Sequence, residues 1–215
     1  MLKKSLYISI VVALISVTAS ADNGRKNGNK QNSSKQYKKN QKDQKNTQNL
    51  VQRENQNLVN SEATNEVIGE LTIEQKEGLS FMIEEEKVAR DVYLTLYKTW
   101  GTRVFTNIAK SEQKHMDAVE NIINKYNLET PATIEETGKF EDEHLQAMYD
   151  DLITKGNNSL IDALEVAVLI EEVDIADLIE LIEAGVPSDI ENVYNNLLKG
   201  SYKHLDAFNR QLSRQ

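Results

Sequence analysis

From residue 66 onward, apolar residues recur every three or four positions, and no run alternates apolar with polar. That is the helical period, so the 150 residues from 66 to 215 are expected to be all-α. Caps and breakers set the boundaries. The first long helix starts at Thr72, with Gln75 as the other half of a capping box, and runs to about Lys98 before Trp100-Gly101 interrupts it. The second runs from about Arg103 to Tyr126. The third starts near Ser159, with Asp162 in its first turn, and stops before "AGVPSDIE", where Gly185 and Pro187 break the pattern. Ser188 with Glu191 reads as a second capping box opening the fourth helix, over about Asp189 to Leu212.

Short connections make two antiparallel hairpins of these four helices. Between the second and third lie roughly 30 residues, "NLETPATIEETGKFEDEHLQAMYDDLITKGNN", with a short amphipathic helix around Leu145, Met148, Tyr149 and Leu152. A connection of that length can climb a bundle roughly 36 Å tall, at about 1.5 Å per helical residue, leaving helices two and three parallel. The expected architecture is a ferritin-like four-helix bundle with one long crossover, containing a short extra helix, between helices 2 and 3.

The apolar stripes are interrupted at mid-length. The second helix reads Phe105, Ile108, Glu112, His115, Val119, Ile122, which puts a glutamate and a histidine three apart on the core face. In the first helix Glu86 interrupts the stripe, while Glu84 and Glu85 are expected to point elsewhere. The third presents Leu164, Ala167, Glu171, Asp174, Leu178, and the fourth Tyr194, Leu197, Ser201, His204, Phe208. Glu86 lies 14 residues before Trp100, Glu112 11 after Gly101, Glu171 14 before Gly185 and Ser201 13 after Ser188. All four therefore sit roughly 16–21 Å from their turns, at one level of the bundle. Burying several carboxylates without compensation costs several kcal/mol per ion, and a divalent cation held between them removes the conflict. The bland alternatives are a hydrogen-bonded Glu112–His115 pair, Glu86 and Glu171 paired with Arg90, and His204 as a satisfied core histidine. Asp177 is expected to pair with a cation or face solvent, His144 to be solvated, and Tyr93 and Tyr194 to be core aromatics.

The chain opens "MLKKSLYISIVVALISVTASAD", two lysines, an apolar run of 12 residues from Leu6 to Val17, and small residues at Ala19 and Ala21. That is the anatomy of a secretory signal peptide over residues 1–21, the run being shorter than the roughly 20 residues of a spanning helix. Without cysteine, disulfides are excluded, and so is a lipid anchor attached after the run. Residues 22–65 are rich in Asn, Lys and Gln and almost free of apolar groups, with nine basic and four acidic residues. They read as a disordered linker, either a solvated spacer or an electrostatic tether to anionic envelope polymers. Residues 66–215 carry 14 basic and 30 acidic residues, a field that repels nucleic-acid phosphates. The expected setting is export to the periplasm, cell surface or medium, with no transmembrane domain after signal cleavage.

The stretches "EEEKVARDVY" and "SEQKHM" resemble the first hairpin of rubrerythrin-type ferritin-like proteins. With "LIEEVDIADL" and "LLKGSYKHLDAF", the chain from about Leu71 to Leu212 resembles more specifically an exported bacterial ferritin-like family, domain of unknown function 2202. The resemblance implies a metal site in which Glu86, Glu112, His115, Glu171 and His204 are ligands. It also marks a departure: the fourth helix reads Ser201-Tyr202-Lys203-His204, so the carboxylate of its Glu-x-x-His is missing. The third helix offers Asp174 at the stripe's edge and Asp177 farther round in its place, which leaves an asymmetric pair, a mononuclear site or a remnant that binds nothing. Oxygen and imidazole donors suit Fe or Mn, as a dinuclear or a mononuclear site. The expected function is an exported metal-carboxylate protein with oxidoreductase-type chemistry on O₂, peroxide or Fe²⁺. Its expected partners are metal ions, an external electron donor and, as one option, a second copy in a homodimer. The alternatives are a non-catalytic metal-binding or interaction module of the cell envelope and, less favoured, an iron-storage cage.

Overall fold

The computed structural model describes residues 69–215, so the expected signal peptide at 1–21 and linker at 22–65 lie outside the described residues, as do 66–68. The described chain forms five helices and no strand: α1 (Ile73–Trp100), α2 (Arg103–Lys125), α3 (Glu143–Gly156), α4 (Leu160–Glu183) and α5 (Ser188–Leu212). None is long and apolar enough to cross a membrane.

The caps expected from the sequence form with one exception, while Thr102, at the start of α2, makes no side-chain cap hydrogen bond. The Thr72 hydroxyl accepts from the Gln75 N–H at 3.2 Å, and the Gln75 side chain accepts from the Thr72 N–H at 3.0 Å. Ser159 accepts from the Asp162 N–H at 3.0 Å. α1 stops at Gly101, whose φ of 65° is open to a residue without Cβ, and Thr102 begins α2 directly. The exception is α5. Its N-cap is Pro187, which has no side-chain oxygen, so the expected Ser188–Glu191 capping box does not form. Asp189 in that first turn instead accepts from Lys125 Nζ at 2.7 Å and Tyr126 Oη at 3.0 Å, tying the end of α2 to the start of α5.

Contacts between the hairpins fix the helix directions. Along α1, Gly78 packs on Leu181, Glu85 faces Asp177, and Tyr93 bonds Glu171, so α1 and α4 are antiparallel. Along α2, Phe105 meets Phe208, Glu112 meets His204, and Lys125 meets Asp189, so α2 and α5 are antiparallel as well. With α1–α2 and α4–α5 joined by tight turns, α2 and α4 must run parallel. The crossover supplies the climb this requires. Its α3 follows α1 upward and ends where Trp100 Nε1 donates to Gly156 O at 2.9 Å.

The core is split in two. One apolar cluster includes Tyr93, Phe105, Leu152, Leu164 and Phe208; the other includes Leu79, Met82, Val119, Ile190 and Tyr194. Between them, at mid-height, lies a layer of buried charge. α1 is covered on every side there: Glu84, Glu85, Glu86, Lys87, Val88 and Ala89 are all buried. One face of this stretch anchors the crossover. Lys87 Nζ donates to Asp91 at 2.9 Å and to the carbonyls of Glu136 and Lys139 at 2.8 and 2.7 Å, and lies 4.0 Å from the Phe140 ring centroid. Asp91 also accepts from the Gly138 N–H at 2.8 Å, and Glu84 from the Glu141 N–H at 2.7 Å. These contacts satisfy backbone groups of a segment with no regular structure of its own.

Candidate metal centre

Each of the four long helices contributes to the buried layer. Glu112 and His115, one turn apart on α2, point inward because Phe105, Ile108, Val119 and Ile122 on the same stripe are buried. Glu86 enters from α1, Glu171 and Asp174 from α4, and Ser201 and His204 from α5, all of them buried.

Glu112 is the middle of the arrangement. Its Oε2 lies 2.9 Å from His115 Nδ1 and its Oε1 lies 2.9 Å from His204 Nδ1. A second carboxylate stands beside each imidazole: Glu86 Oε2 is 3.2 Å from His115 Nδ1, and Glu171 Oε2 is 3.6 Å from His204 Nδ1. The two rings stack with centroids 5.4 Å apart. Donor atoms of Glu112, His115 and His204 all lie within 4.8 Å of one another, and these three buried residues could hold a metal ion. Gly200 makes room for this. A Cβ there would sit 2.5 Å from His115 Nε2, so the imidazole rests against bare α5 backbone.

Several polar atoms in the layer lack hydrogen-bond partners: Glu86 Oε1, Glu112 Oε1, Asp174 Oδ1 and His204 Nδ1. Glu112 Oε1 and His204 Nδ1 are close, yet no N–H is aimed along the line between them. A carboxylate oxygen and an imidazole nitrogen this close without a well-aimed N–H would also be satisfied by a shared cation. Tyr93 Oη donates to Glu171 Oε1 at 2.7 Å, orienting that carboxylate from outside the layer.

The charges without an ion are balanced by protons. Burial pushes Glu86 up to about 7 and Glu171 up to about 8, with the Glu112 charge adding to each and the neighbouring imidazoles opposing. Burial also drives Asp174 well above its usual range, aided by the Glu86 charge. For Glu112, burial is outweighed by the imidazoles of His115 and His204, which hold its carboxyl below the ordinary value. Burial likewise opposes charging the imidazoles. Glu112 and Glu86 nevertheless lift His115 to about 11, and Glu112 and Glu171 lift His204 to about 10.

The expected site residues thus share one layer, with Glu112, His115 and His204 converging most closely. Asp174 lies against Ser201, the residue that stands where the fourth helix lacks the expected glutamate. Ser201 itself donates to Leu197 O at 3.0 Å. Arg90 does not reach Glu86 or Glu171: its Nε donates to Asp91 and its Nη1 to Gln113, at 2.9 and 2.6 Å. Asp177 neither pairs with a cation nor faces solvent. It is 4% exposed and faces Glu85, because α4 turns its acidic edge toward the fully covered middle of α1.

The family described as an uncharacterized protein domain, DUF2202, matches residues 75–215, nearly all of the described chain. The chain belongs to the DUF2202 family. The match takes in all five helices except the first residues of α1, and every residue of the layer. The chain is also 49% identical over 140 residues to an uncharacterized protein, MJ0754, of Methanocaldococcus jannaschii, covering 65% of this chain and 76% of that one. A crystal structure of hypothetical protein MJ0754 from Methanococcus jannaschii superposes with a TM-score of 0.67 at 45% identity, covering 72% of this chain and 86% of the other. These relatives name no activity.

Proposed function

We propose that this DUF2202 domain is an exported, ferritin-like metal-carboxylate protein that binds Fe or Mn, two ions per chain, and performs oxidoreductase-type chemistry on O₂, peroxide or Fe²⁺. The observation that carries the reading is the Glu112 carboxylate, set between two imidazole nitrogens at 2.9 Å on either side, with a further glutamate beyond each. One half-site would draw on Glu86, His115 and Glu112, and the other on Glu171, His204 and Glu112, with Glu112 bridging. The antiparallel packing of α1 on α4 and of α2 on α5, with a climbing crossover, supports the ferritin-like relation.

Iron or manganese bound there would supply the electron transfer. The protein's own contribution is to hold and protect. Glu112 fixes both half-sites from one rigid helix, and Tyr93 orients Glu171 through its hydroxyl. The two apolar clusters exclude water above and below the layer. The imidazoles hold protons that an incoming ion displaces. Ser201 favours a second reading, a structural ion without turnover, because the corner opposite Glu112 carries a hydroxyl bonded to backbone.

The test is metal content after anaerobic loading with Fe²⁺, Mn²⁺ or Zn²⁺, beside Glu112→Ala/His115→Ala. Two Fe or Mn per chain, lost in the double variant, is the expected result. One redox-silent Zn²⁺ with no consumption of O₂ or peroxide would favour the structural reading. No specific ion with an unchanged fold would remove both.

A further inference from the structure

The buried charge does not end at the centre. On α4, Glu171, Asp174 and Asp177 follow one another at intervals of three residues, each step rising about 4.5 Å along the α1-facing side. Opposite Asp177 stands Glu85, one residue before the centre's own Glu86 and turned to a different face of α1. Glu85 is 5% exposed and Asp177 4%, yet Glu85 Oε2, Asp174 Oδ1 and Asp177 Oδ1 all lack a hydrogen-bond partner. Among the described residues, no lysine or arginine forms an ion pair with any of the three. The nearby cations are committed, Lys87 and Arg90 both to Asp91.

Unpartnered buried oxygens on two facing helices, with no basic residue against them, lack a positive charge. We propose that Glu85 and Asp177 form an outer divalent-cation site, from which an ion passes along Asp174 into the centre. An oxygen-only donor set of two carboxylates fits a hard ion such as Mn²⁺ or Fe²⁺. The outer site lacks imidazole, so it holds its ion more weakly than the centre and releases it inward. Asp174 is the step between, lying against Ser201. The outer site rests on the metal reading of the centre only for where its ion goes next.

The experiment uses the full chain and Mn²⁺ alone, with ions counted by equilibrium dialysis and uptake followed by stopped flow against a metal-indicator dye. Four chains are compared: wild type, Glu85→Gln/Asp177→Asn, Glu112→Ala/His115→Ala, and Asp174→Asn. Both outer substitutions remove buried charge at constant shape, so folding is retained, and circular dichroism checks this. The expected result is that the outer variant binds one Mn²⁺ fewer and fills the centre about tenfold more slowly. The centre variant keeps one weakly held Mn²⁺. Asp174→Asn is expected to keep the outer ion and slow its passage. An outer variant equal to wild type in both count and rate, or a centre variant that binds no Mn²⁺, overturns the outer site. A centre variant equal to wild type would instead remove the proposed centre and leave the outer site standing.

Discussion

Gly200→Ala separates the metal reading from a merely structural one. In the middle of a helix this change normally stabilises by about 1 kcal/mol, since alanine has less backbone freedom to lose. Here the new Cβ would lie 2.5 Å from His115 Nε2 and 2.6 Å from its Cε1. The obstructed atoms are the tip of a side chain, so the ring can swing aside without moving backbone. The metal-free variant should therefore melt within a few degrees of wild type, about 1 kcal/mol corresponding to roughly 2–4 °C in a chain of this size. Its imidazole, however, no longer stands at 2.9 Å from Glu112. Misplacing a ligand typically weakens metal affinity 10–100-fold, about 1.4–2.7 kcal/mol. The stabilisation by saturating Mn²⁺ or Fe²⁺ should shrink correspondingly, by roughly 3–10 °C. Differential scanning fluorimetry with and without the ion reads both quantities. Wild-type affinity in the variant would refute the assignment of His115 as a ligand seated on α5 backbone. A metal-free loss above about 3 kcal/mol would refute the free swing of the ring.

Two further outcomes follow from the buried charges. Glu86 and Glu171 are raised to about 7 and about 8, and His115 and His204 to about 11 and about 10, so the metal-free fold binds more protons than the unfolded chain. The carboxyl contribution is complete below about pH 4.3 and is lost as pH rises through 7–8. That of the imidazoles is complete below about pH 6.5 and is lost toward pH 10–11. The metal-free melting temperature should thus fall from pH 5 to pH 9, while metal affinity rises over the same range as the ion replaces protons; a metal-free melting temperature that rises would contradict the charge balance. Lys87→Met removes one of the two cations on a fully buried Asp91, leaving Arg90, and takes the donor from two backbone carbonyls, and should lower stability by about 2–4 kcal/mol in denaturant titrations. Protease cleavage should then appear first in the 133–142 segment, and a loss below about 1 kcal/mol would show that Lys87 does not hold the crossover.

Much of this was legible from period alone. The stripe through Phe105, Ile108, Val119 and Ile122 told which way Glu112 and His115 face, and counting from the turns placed Glu86, Glu171 and Ser201 at the level of Glu112. Pattern reading failed where a helix has more than one buried face. α1 touches α2, α3, α4 and the crossover, so residues 84–89 are all buried and no single stripe describes them. Glu85 therefore looked like a bystander, and Asp177 like a surface residue, because the partner that covers each lies nearly a hundred residues away. The Lys87–Asp91 pair at i, i+4 was a signal that could have been read, but that spacing is most often a solvated one. The Ser188 cap failed for a local reason, the helix having started one residue sooner behind Pro187.

The layer's donors are divided between the two hairpins: Glu86, Glu112 and His115 belong to α1–α2, and Glu171, Asp174 and His204 to α4–α5. The second hairpin has no complete set of its own, since its His204 finds Glu112 across the interface at 2.9 Å. The crossover and α3 are pinned to the first hairpin by Lys87, Glu84 and Trp100, and the Asn157–Asn158 turn joins this unit to α4–α5. A chain opened at that turn becomes a pair of complementary fragments, each with part of the clasp. If the layer takes up an ion, their reassociation becomes a direct gauge of it, because the ion would fasten two pieces of protein.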